Sequence, residues 1–348
     1  MTCLAKLGKI LWVITININI FILLFIAMEL AARSWNVVVN DGNFFRPDYF
    51  ISPWITTYDY PYPVTKPDGK TYFRHRNVPT SAQKPANTFR IIAVGGSTTA
   101  NNRPYRINKI DYPKSLEGKL ENSFKPLSFE VLNAGSDAFS SAQSLINIEF
   151  RLVEYNPDII LLMHTVNDAS VNAFNGGATP DYSNKYLTPY YLSTSLQGSL
   201  SLVGFIAQSR LLSRIGLPEL LADRNEDMEV ADDYDYGLHL FARNLAAIAS
   251  ICKLHNIDLV LLSQPAPIGT SKFTKYITKG MFLDYRKAIN EVAKEQGVYF
   301  IDMFSRFGHE ERYFADHIHY TPEGIERFSS ILHSELRSII SNRLEQSR

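Results

Sequence analysis

The chain has 348 residues, and its 35 Lys plus Arg balance its 35 Asp plus Glu, so the formal net charge is zero. This balance gives no overall field that attracts nucleic acid, and we predict no nucleic-acid partner. The length and a hydrophobic share of 45% allow one large α/β domain with an appendage, and the two cysteines, Cys3 and Cys252, form neither a disulfide framework nor a zinc site.

The first element is an apolar segment near the N-terminus. Residues 10–28 are apolar apart from one threonine and two asparagines, and Lys6 and Lys9 precede them. A helix needs about 20 such residues to cross the hydrocarbon layer, and the basic flank favours a cytoplasmic N-terminus. We predict a signal anchor within residues 1–33. A cleaved signal peptide is the alternative, although "MELAARS" is a poor cleavage site.

Residues 34–88 form the next region, which is rich in Pro, Tyr, Asp and Asn. Repeated X-Pro and Asp-Gly steps argue against long helices. The aromatic residues indicate that the segment packs on something, so we predict an extended lead-in that wraps the domain.

From Phe89 onward, strand and helix patterns alternate, which predicts an α/β domain over residues 89–348. The predicted strands are 89–96, 128–135, 157–168, 257–265 and 298–304. The predicted helices are 112–124, 141–155, 235–256, 282–297 and 322 to about 343. Continuous apolar strands separated by helices indicate a parallel sheet covered on both faces. Residues 169–232 read as an irregular insertion.

Polar residues follow three of these strands. Ser97, Gly135 and the segment "HTVND" (164–168) all come after strand ends, where parallel sheets bind their ligands. Gly95 and Gly96 precede Ser97 and allow a tight turn. Ser97 is therefore either a nucleophile or the cap of the next helix.

The C-terminal segment "FADHIHYTPEGIERF" holds a possible base. Asp316 lies three residues before His319, a spacing at which a turn brings a carboxylate to an imidazole and fixes its tautomer. Thr321 and Pro322 predict a helix start just after it. His317 is the competing histidine, and a metal site would need further ligands that the segment lacks.

Four separated pieces, "GGST", "NAGSDAFSS", "TVND" and "DHIHYTPEG", resemble the four blocks of the SGNH (GDSL-like) hydrolase superfamily, and the lead-in resembles its membrane-anchored bacterial branch. The resemblance implies a flavodoxin-like three-layer α/β/α fold with a central parallel sheet. It places the nucleophile on Ser97, the base on His319 and the orienting acid on Asp316. It places the oxyanion hole on the Ser97 and Gly135 N–H groups and the Asn167 amide.

One departure from the family pattern affects the pocket. Thr165, preceded by His164, stands where the family usually has glycine. His164 is therefore either a pocket residue or an ordinary strand-end residue. Asp168 either orients the neighbouring Asn167 amide or caps the next turn, and Arg103 either meets an acidic substrate or is solvated.

The resemblance implies a serine esterase that forms an acyl-enzyme and needs no metal or organic cofactor. We expect an ester or acylated carbohydrate as substrate, acted on at the exoplasmic face of a bacterial membrane. An O-acyltransferase with the same residues and a non-catalytic polysaccharide-assembly protein are the alternatives. The enzyme interpretations require His319 to lie within proton-transfer distance of Ser97.

Overall fold

The computed structural model describes residues 3–40, 62–66, 68–102, 105, 108–173, 178–182, 234–273 and 277–346. The chain divides into two compact units. The first comprises residues 1–52 and 186–227, and its described part is the N-terminal helix. The second comprises residues 53–185 and 228–348 and holds the α/β domain.

Helix α1 spans Cys3–Asn40 and therefore continues beyond the predicted end at residue 33. Its segment Gly8–Ser34 is long and apolar enough to be a membrane anchor or a signal sequence. The Asn17 and Asn19 amides donate to backbone carbonyls four residues earlier, each at 2.8 Å. These bonds satisfy amides that would otherwise be costly in an apolar surrounding.

The α/β domain is built on five parallel strands, which confirms the predicted fold class. In chain order they are β3 (Thr88–Gly95), β4 (Ser128–Asn133), β5 (Ile159–Met163), β6 (Asp258–Leu262) and β7 (Tyr299–Ile301). The spatial order is β4-β3-β5-β6-β7. This is the flavodoxin-like order, whose switch point lies between β3 and β5.

Helices cover both faces of the sheet. The longer ones are α3 (Tyr112–Ser123), α4 (Ser141–Asn147), α5 (Val166–Ala173), α6 (Tyr234–Leu254), α7 (Lys279–Gln296) and α9 (Pro322–Gln346), and the short ones are α2 (Ser97–Ala100) and α8 (Met303–Phe307). Alternate residues of β3 point to opposite layers: Ile92 packs with α6 and α7, and Ile91 packs with α3 and α9. This alternation makes three layers.

The described part of the lead-in packs on the domain, as its aromatic residues suggest. It forms a small antiparallel hairpin, β1 (Val64–Thr65) with β2 (Thr71–Tyr72). Phe73 follows β2, is buried, and packs edge-on against Tyr155 with ring centroids 4.9 Å apart.

Three predicted elements differ clearly from the structure. The strand predicted over 298–304 ends at Ile301, and helix α8 begins at Met303. The strand predicted to residue 168 ends at Met163, where its neighbour β6 also ends at the paired Leu262, and α5 begins three residues later. The helix predicted over 141–155 changes after α4 into a π-helical turn, Ile148–Leu152, and a 3₁₀ turn, Val153–Tyr155. In the predicted irregular insertion, 169–173 are helical, and 174–177 and 183–232 lie outside the described residues.

Candidate active site

Ser97 lies at the switch point of the sheet, directly after β3. It is the first residue of α2, and the N-cap position is Gly96, which makes no side-chain cap. Ser97 is thus not the cap of its helix. Its side chain is half-exposed, and within the described part of the chain its hydroxyl donates no hydrogen bond. A serine in this position is available to a ligand at the sheet edge.

The two glycines before Ser97 are required by close contacts. A Cβ on Gly95 would lie 2.5 Å from the Thr99 hydroxyl, and one on Gly96 would lie 2.5 Å from the Asn167 amide nitrogen. Both distances are far shorter than van der Waals contact. Glycine at position 96 therefore brings the Asn167 amide against the turn that carries Ser97.

Asp316 and His319 form the pair that the sequence predicts. His319 Nδ1 lies 2.8 Å from Asp316 Oδ2 and 3.0 Å from Oδ1. The backbone N–H groups of Ile318 and His319 also donate to Oδ1, at 3.0 and 2.8 Å. The tight turn thus fixes the ring through Nδ1. In the described part of the chain Nε2 has no hydrogen-bond partner.

The same contacts keep Asp316 ionised. Burial by itself raises the pKa of the carboxyl. The His319 ring, its charge and the two backbone N–H groups outweigh burial, so the pKa lies well below its usual value. The carboxylate therefore stays available to stabilise a positively charged imidazole.

The His319 turn and Ser97 share one edge of the sheet. A cavity of about 10 Å³ lies there, and it is lined by Gly96, Ser97, Thr98, Met163, His164, Thr165, Val166, Asn167, Gln264 and Ile318. Ile318 directly precedes His319, and the Tyr320 hydroxyl after it reaches Met163 Sδ at 3.9 Å. The structure records no direct hydrogen bond between Ser97 and His319.

Asn167 lies in the first turn of α5, beside the serine turn. Its Nδ2 donates to the Phe139 carbonyl at 2.7 Å. An amide nitrogen carries two protons, so this bond fixes the orientation of the group and leaves one N–H for another acceptor. The side chain is half-buried and lines the same cavity as Ser97.

The Gly135 N–H, predicted as an oxyanion donor, is already used. It donates to the Asn133 side-chain oxygen at 3.0 Å. A Cβ on Gly135 would lie 2.4 Å from the Ala100 backbone nitrogen, so glycine is needed here for close packing against α2. The structure thus gives Gly135 a packing contact and an internal acceptor for its N–H, and its role as an oxyanion donor stays a prediction.

His164 and Asp168 are buried behind the cavity. His164 Nε2 is hydrogen-bonded to the Ser144 hydroxyl at 2.8 Å, and Nδ1 lies 3.7 Å from Asp168 Oδ2. Asp168 accepts from the Ser141 N–H and hydroxyl and from the Tyr182 hydroxyl at 3.1 Å. Asp168 therefore holds the start of α4, which lies earlier in the chain, and this contact differs from both of its predicted roles, which stay predictions. His164 both ends its strand and lines the cavity wall.

Other predicted residues lie away from the site or outside the described ranges. Arg103 belongs to the undescribed part of the chain, and His317 is exposed. Cys252 is buried, and burial raises the pKa of its thiol to about 12. Among the residues described, no three His, Cys, Asp or Glu side chains come together as metal ligands.

Sequence reasoning missed Gln264. Its side-chain oxygen accepts from the Val166 N–H, the first of α5, at 3.2 Å, and its side chain lines the cavity. It follows β6 at the sheet edge, so its place after a strand end is the signal that identifies it.

A parallel α/β sheet with a serine at its switch point and an Asp–His pair at the same edge defines a class, the serine hydrolases. The sequence model of the GDSL-like Lipase/Acylhydrolase family matches residues 93–327, which is more than half of the chain. The chain belongs to this family and is a serine esterase. No curated protein matches the sequence significantly.

Solved structures with a similar fold are distant relatives. A lipase/acylhydrolase from Enterococcus faecalis is 15% identical, with 72% of this chain and 96% of that one covered and a TM-score of 0.45. Axe2, an acetylxylan esterase from Geobacillus stearothermophilus, is 12% identical, with 72% and 94% covered and a TM-score of 0.45. Likenesses this distant carry no inference about the substrate of this chain.

Proposed function

We propose that the protein is a membrane-anchored esterase that removes short O-acyl groups, acetyl above all, from a carbohydrate at the cell surface. The observation that carries the proposal is the pairing of Asp316 with His319 Nδ1 at the sheet edge where Ser97 lines a very small cavity. Because Nδ1 faces Asp316, Nε2 is the ring nitrogen left to act as the base.

The proposed reaction proceeds through an acyl-enzyme. His319 Nε2 takes the proton from Ser97 as Oγ attacks the ester carbonyl carbon. The tetrahedral intermediate collapses, the C–O bond to the alcohol breaks, and the alcohol leaves with the proton from His319. Water then attacks the acyl-enzyme with His319 as base, and the acid is released. A hydrogen bond from nucleophile to base is often long in a free enzyme and shortens when substrate binds.

The oxyanion in this proposal is held by the Ser97 backbone N–H and the Asn167 amide. Asn167 Nδ2 is oriented by the Phe139 carbonyl, and the Ser97 N–H is at the first position of its helix. The Gly135 N–H is left out because Asn133 already accepts it.

Cavity size supports a short acyl group. A volume of about 10 Å³ is close to the space that one water molecule needs, and it suits a methyl group better than a long chain. Val166 and Met163 form apolar parts of the wall and are themselves buried.

The membrane and carbohydrate parts of the proposal rest on the N-terminal helix. Gly8–Ser34 is long enough to span a bilayer, and its basic flank favours a cytoplasmic N-terminus. The catalytic domain then faces the exoplasmic side, and acylated polysaccharides of the cell surface are the esters that we propose as its substrates.

The test uses the full-length protein in detergent with a fluorophosphonate probe and a series of p-nitrophenyl esters. We expect labelling that disappears in Ser97→Ala. We also expect kcat/KM to fall on the order of tenfold or more from acetate to octanoate. Val166→Ala is the comparison variant for acyl length. Its cavity is larger, so the ester with the highest kcat/KM should shift from acetate toward butyrate.

Three outcomes contradict parts of this proposal. Unlabelled but folded protein indicates a binding module instead of an enzyme. An octanoate preference refutes the short-acyl assignment. Acyl transfer to an added sugar in place of water, detected by product analysis, identifies the protein as an O-acyltransferase.

A further inference from the structure

Arg74 of the lead-in is a buried cation that contacts the loop after β4. Its backbone N–H donates to the Asn133 carbonyl at 3.0 Å, and its Nε donates to the Gly135 carbonyl at 2.7 Å. Its Nη1 donates to the Asn102 side chain, and its guanidinium lies 4.3 Å from the Tyr62 ring centroid. Arg74 thus binds two carbonyl groups, of Asn133 and Gly135, where the chain leaves the strand.

Burial of this side chain is costly and needs a compensating geometry. Arg74 is 2% exposed, and a guanidinium loses much of its hydration at that depth. The planar guanidinium offsets this loss of hydration only when its acceptors lie in fixed positions. A lysine ammonium group does not need such fixed acceptors. The next residue reinforces the contact, because His75 Nε2 is 2.8 Å from the Ala100 carbonyl at the end of α2.

From Arg74 the contacts continue to the oxyanion amide. Asn102, which Arg74 binds, donates to Asp137 at 2.7 Å. Asp137 lies in a turn that is closed by the Phe139 N–H donating to the Ser136 carbonyl at 3.2 Å. The Phe139 carbonyl then accepts the Asn167 amide at 2.7 Å. Moving this turn therefore reorients the Asn167 side chain.

We propose that Arg74 is a positioning residue for ester hydrolysis, which holds the 133–139 turn so that Phe139 aims the Asn167 amide at the oxyanion. The inference rests on the proposed roles of Ser97 and Asn167. It makes the lead-in a functional part of the active site in addition to a connection between helix α1 and the domain.

The test is Arg74→Met in the full-length protein, with p-nitrophenyl acetate as substrate. Misplacement of a catalytic group by about 1 Å costs on the order of 100-fold, so we expect kcat to fall by about that factor with little change in KM. Arg76→Met is the matched control, because Arg76 lies on the same segment but pairs with Glu117 of α3. It should keep kcat within about twofold per folded molecule.

A double variant separates positioning from general destabilisation. If Arg74 acts through Asn167, Arg74→Met combined with Asn167→Ala should lose no more activity than Asn167→Ala alone. A merely structural role predicts that the two losses multiply, and that result would overturn the inference.

Two milder variants keep the test decisive if Arg74→Met does not fold. Asn102→Ala breaks the same contact from a half-exposed partner, and Arg74→Lys keeps the charge without the planar guanidinium. Both should lower kcat in folded protein, and full activity in both refutes the inference. Ser97→Ala distinguishes a failure of the proposed function from a failure of the Arg74 role. Retained activity in Ser97→Ala refutes the proposed function. An inactive Ser97→Ala together with a fully active Arg74→Met refutes only the role of Arg74.

Discussion

Two histidine–carboxylate pairs lie at the same edge of the sheet, and their surroundings differ. In the C-terminal pair, the side chains of His319 and Asp316 are 23% and 33% exposed, and Nδ1 is 2.8 Å from the carboxylate. In the second pair, the side chains of His164 and Asp168 are 1% and 0% exposed, and Nδ1 is 3.7 Å away.

The difference shows what a base at this site requires. His319 is bonded through Nδ1, and in the described part of the chain its Nε2 has no hydrogen-bond partner. The Nε2 of His164 is bonded to Ser144, and Asp168 receives donors from Ser141 and Tyr182. Burial and saturation with partners give the second pair a structural role. Partial exposure and one unbonded nitrogen suit the first pair to proton transfer.

The largest expected effect distinguishes the two histidines directly. His319→Ala should lower kcat by about 10³-fold or more, because both proton transfers lose their base. His164→Ala should lower the melting temperature and keep most of the activity of the folded molecules. The measurement is kcat on p-nitrophenyl acetate, normalised by the folded fraction from circular dichroism. Similar losses in both variants would remove the distinction between the pairs.

A second prediction sharpens the comparison for the neighbours Asn167 and Asp168. Asn167→Ala should lower kcat by about 10²- to 10³-fold, as the loss of an oxyanion donor does. The free energy of unfolding should fall by only about 1 kcal/mol, because one hydrogen bond to the Phe139 carbonyl is lost. KM should change much less, because the interaction is made mainly in the transition state. An Asn167→Ala protein with near-normal turnover would show that this amide does not hold the oxyanion.

Asp168→Asn should have the opposite effect: it should lower the stability of the fold and leave the turnover of folded molecules nearly unchanged. The amide oxygen can keep the Ser141 and Tyr182 donors that Oδ1 accepts, but the new NH₂ replaces Oδ2, which accepts from the Ser141 N–H and faces His164 Nδ1. The charged acceptor is lost, so we expect the free energy of unfolding to fall by about 1–3 kcal/mol. Urea denaturation measures this loss. Turnover of the folded fraction should stay within a few-fold of the wild type. A stable Asp168→Asn protein with little turnover would assign Asp168 to the reaction instead.

Sequence patterns predicted the strands and most helices because continuous apolar runs and amphipathic periodicity are local signals. The spacing of Asp316 and His319 likewise predicted a contact within one turn. The use of the Gly135 N–H was not predictable, because its acceptor on Asn133 is set by the exact path of a loop. Arg74 and Gln264 were missed for a related reason. Their roles come from partners distant in sequence, which only the folded sheet brings together.

The smallest expected effect concerns the pH dependence of stability. This measurement tests only the pair of His319 and Asp316. The pKa of Asp316 is lower in the folded chain than in the unfolded chain, so its ionised form stabilises the fold. That contribution is complete above the unfolded value of about 3.9 and is lost as the pH falls through the folded value. The part of the difference in unfolding free energy between wild type and Asp316→Asn that comes from this carboxylate should therefore shrink as the pH falls below about 3.9. Urea titrations of both proteins at several pH values measure it, and a difference that grows in acid would mean that the carboxyl is not held ionised by His319 and the turn.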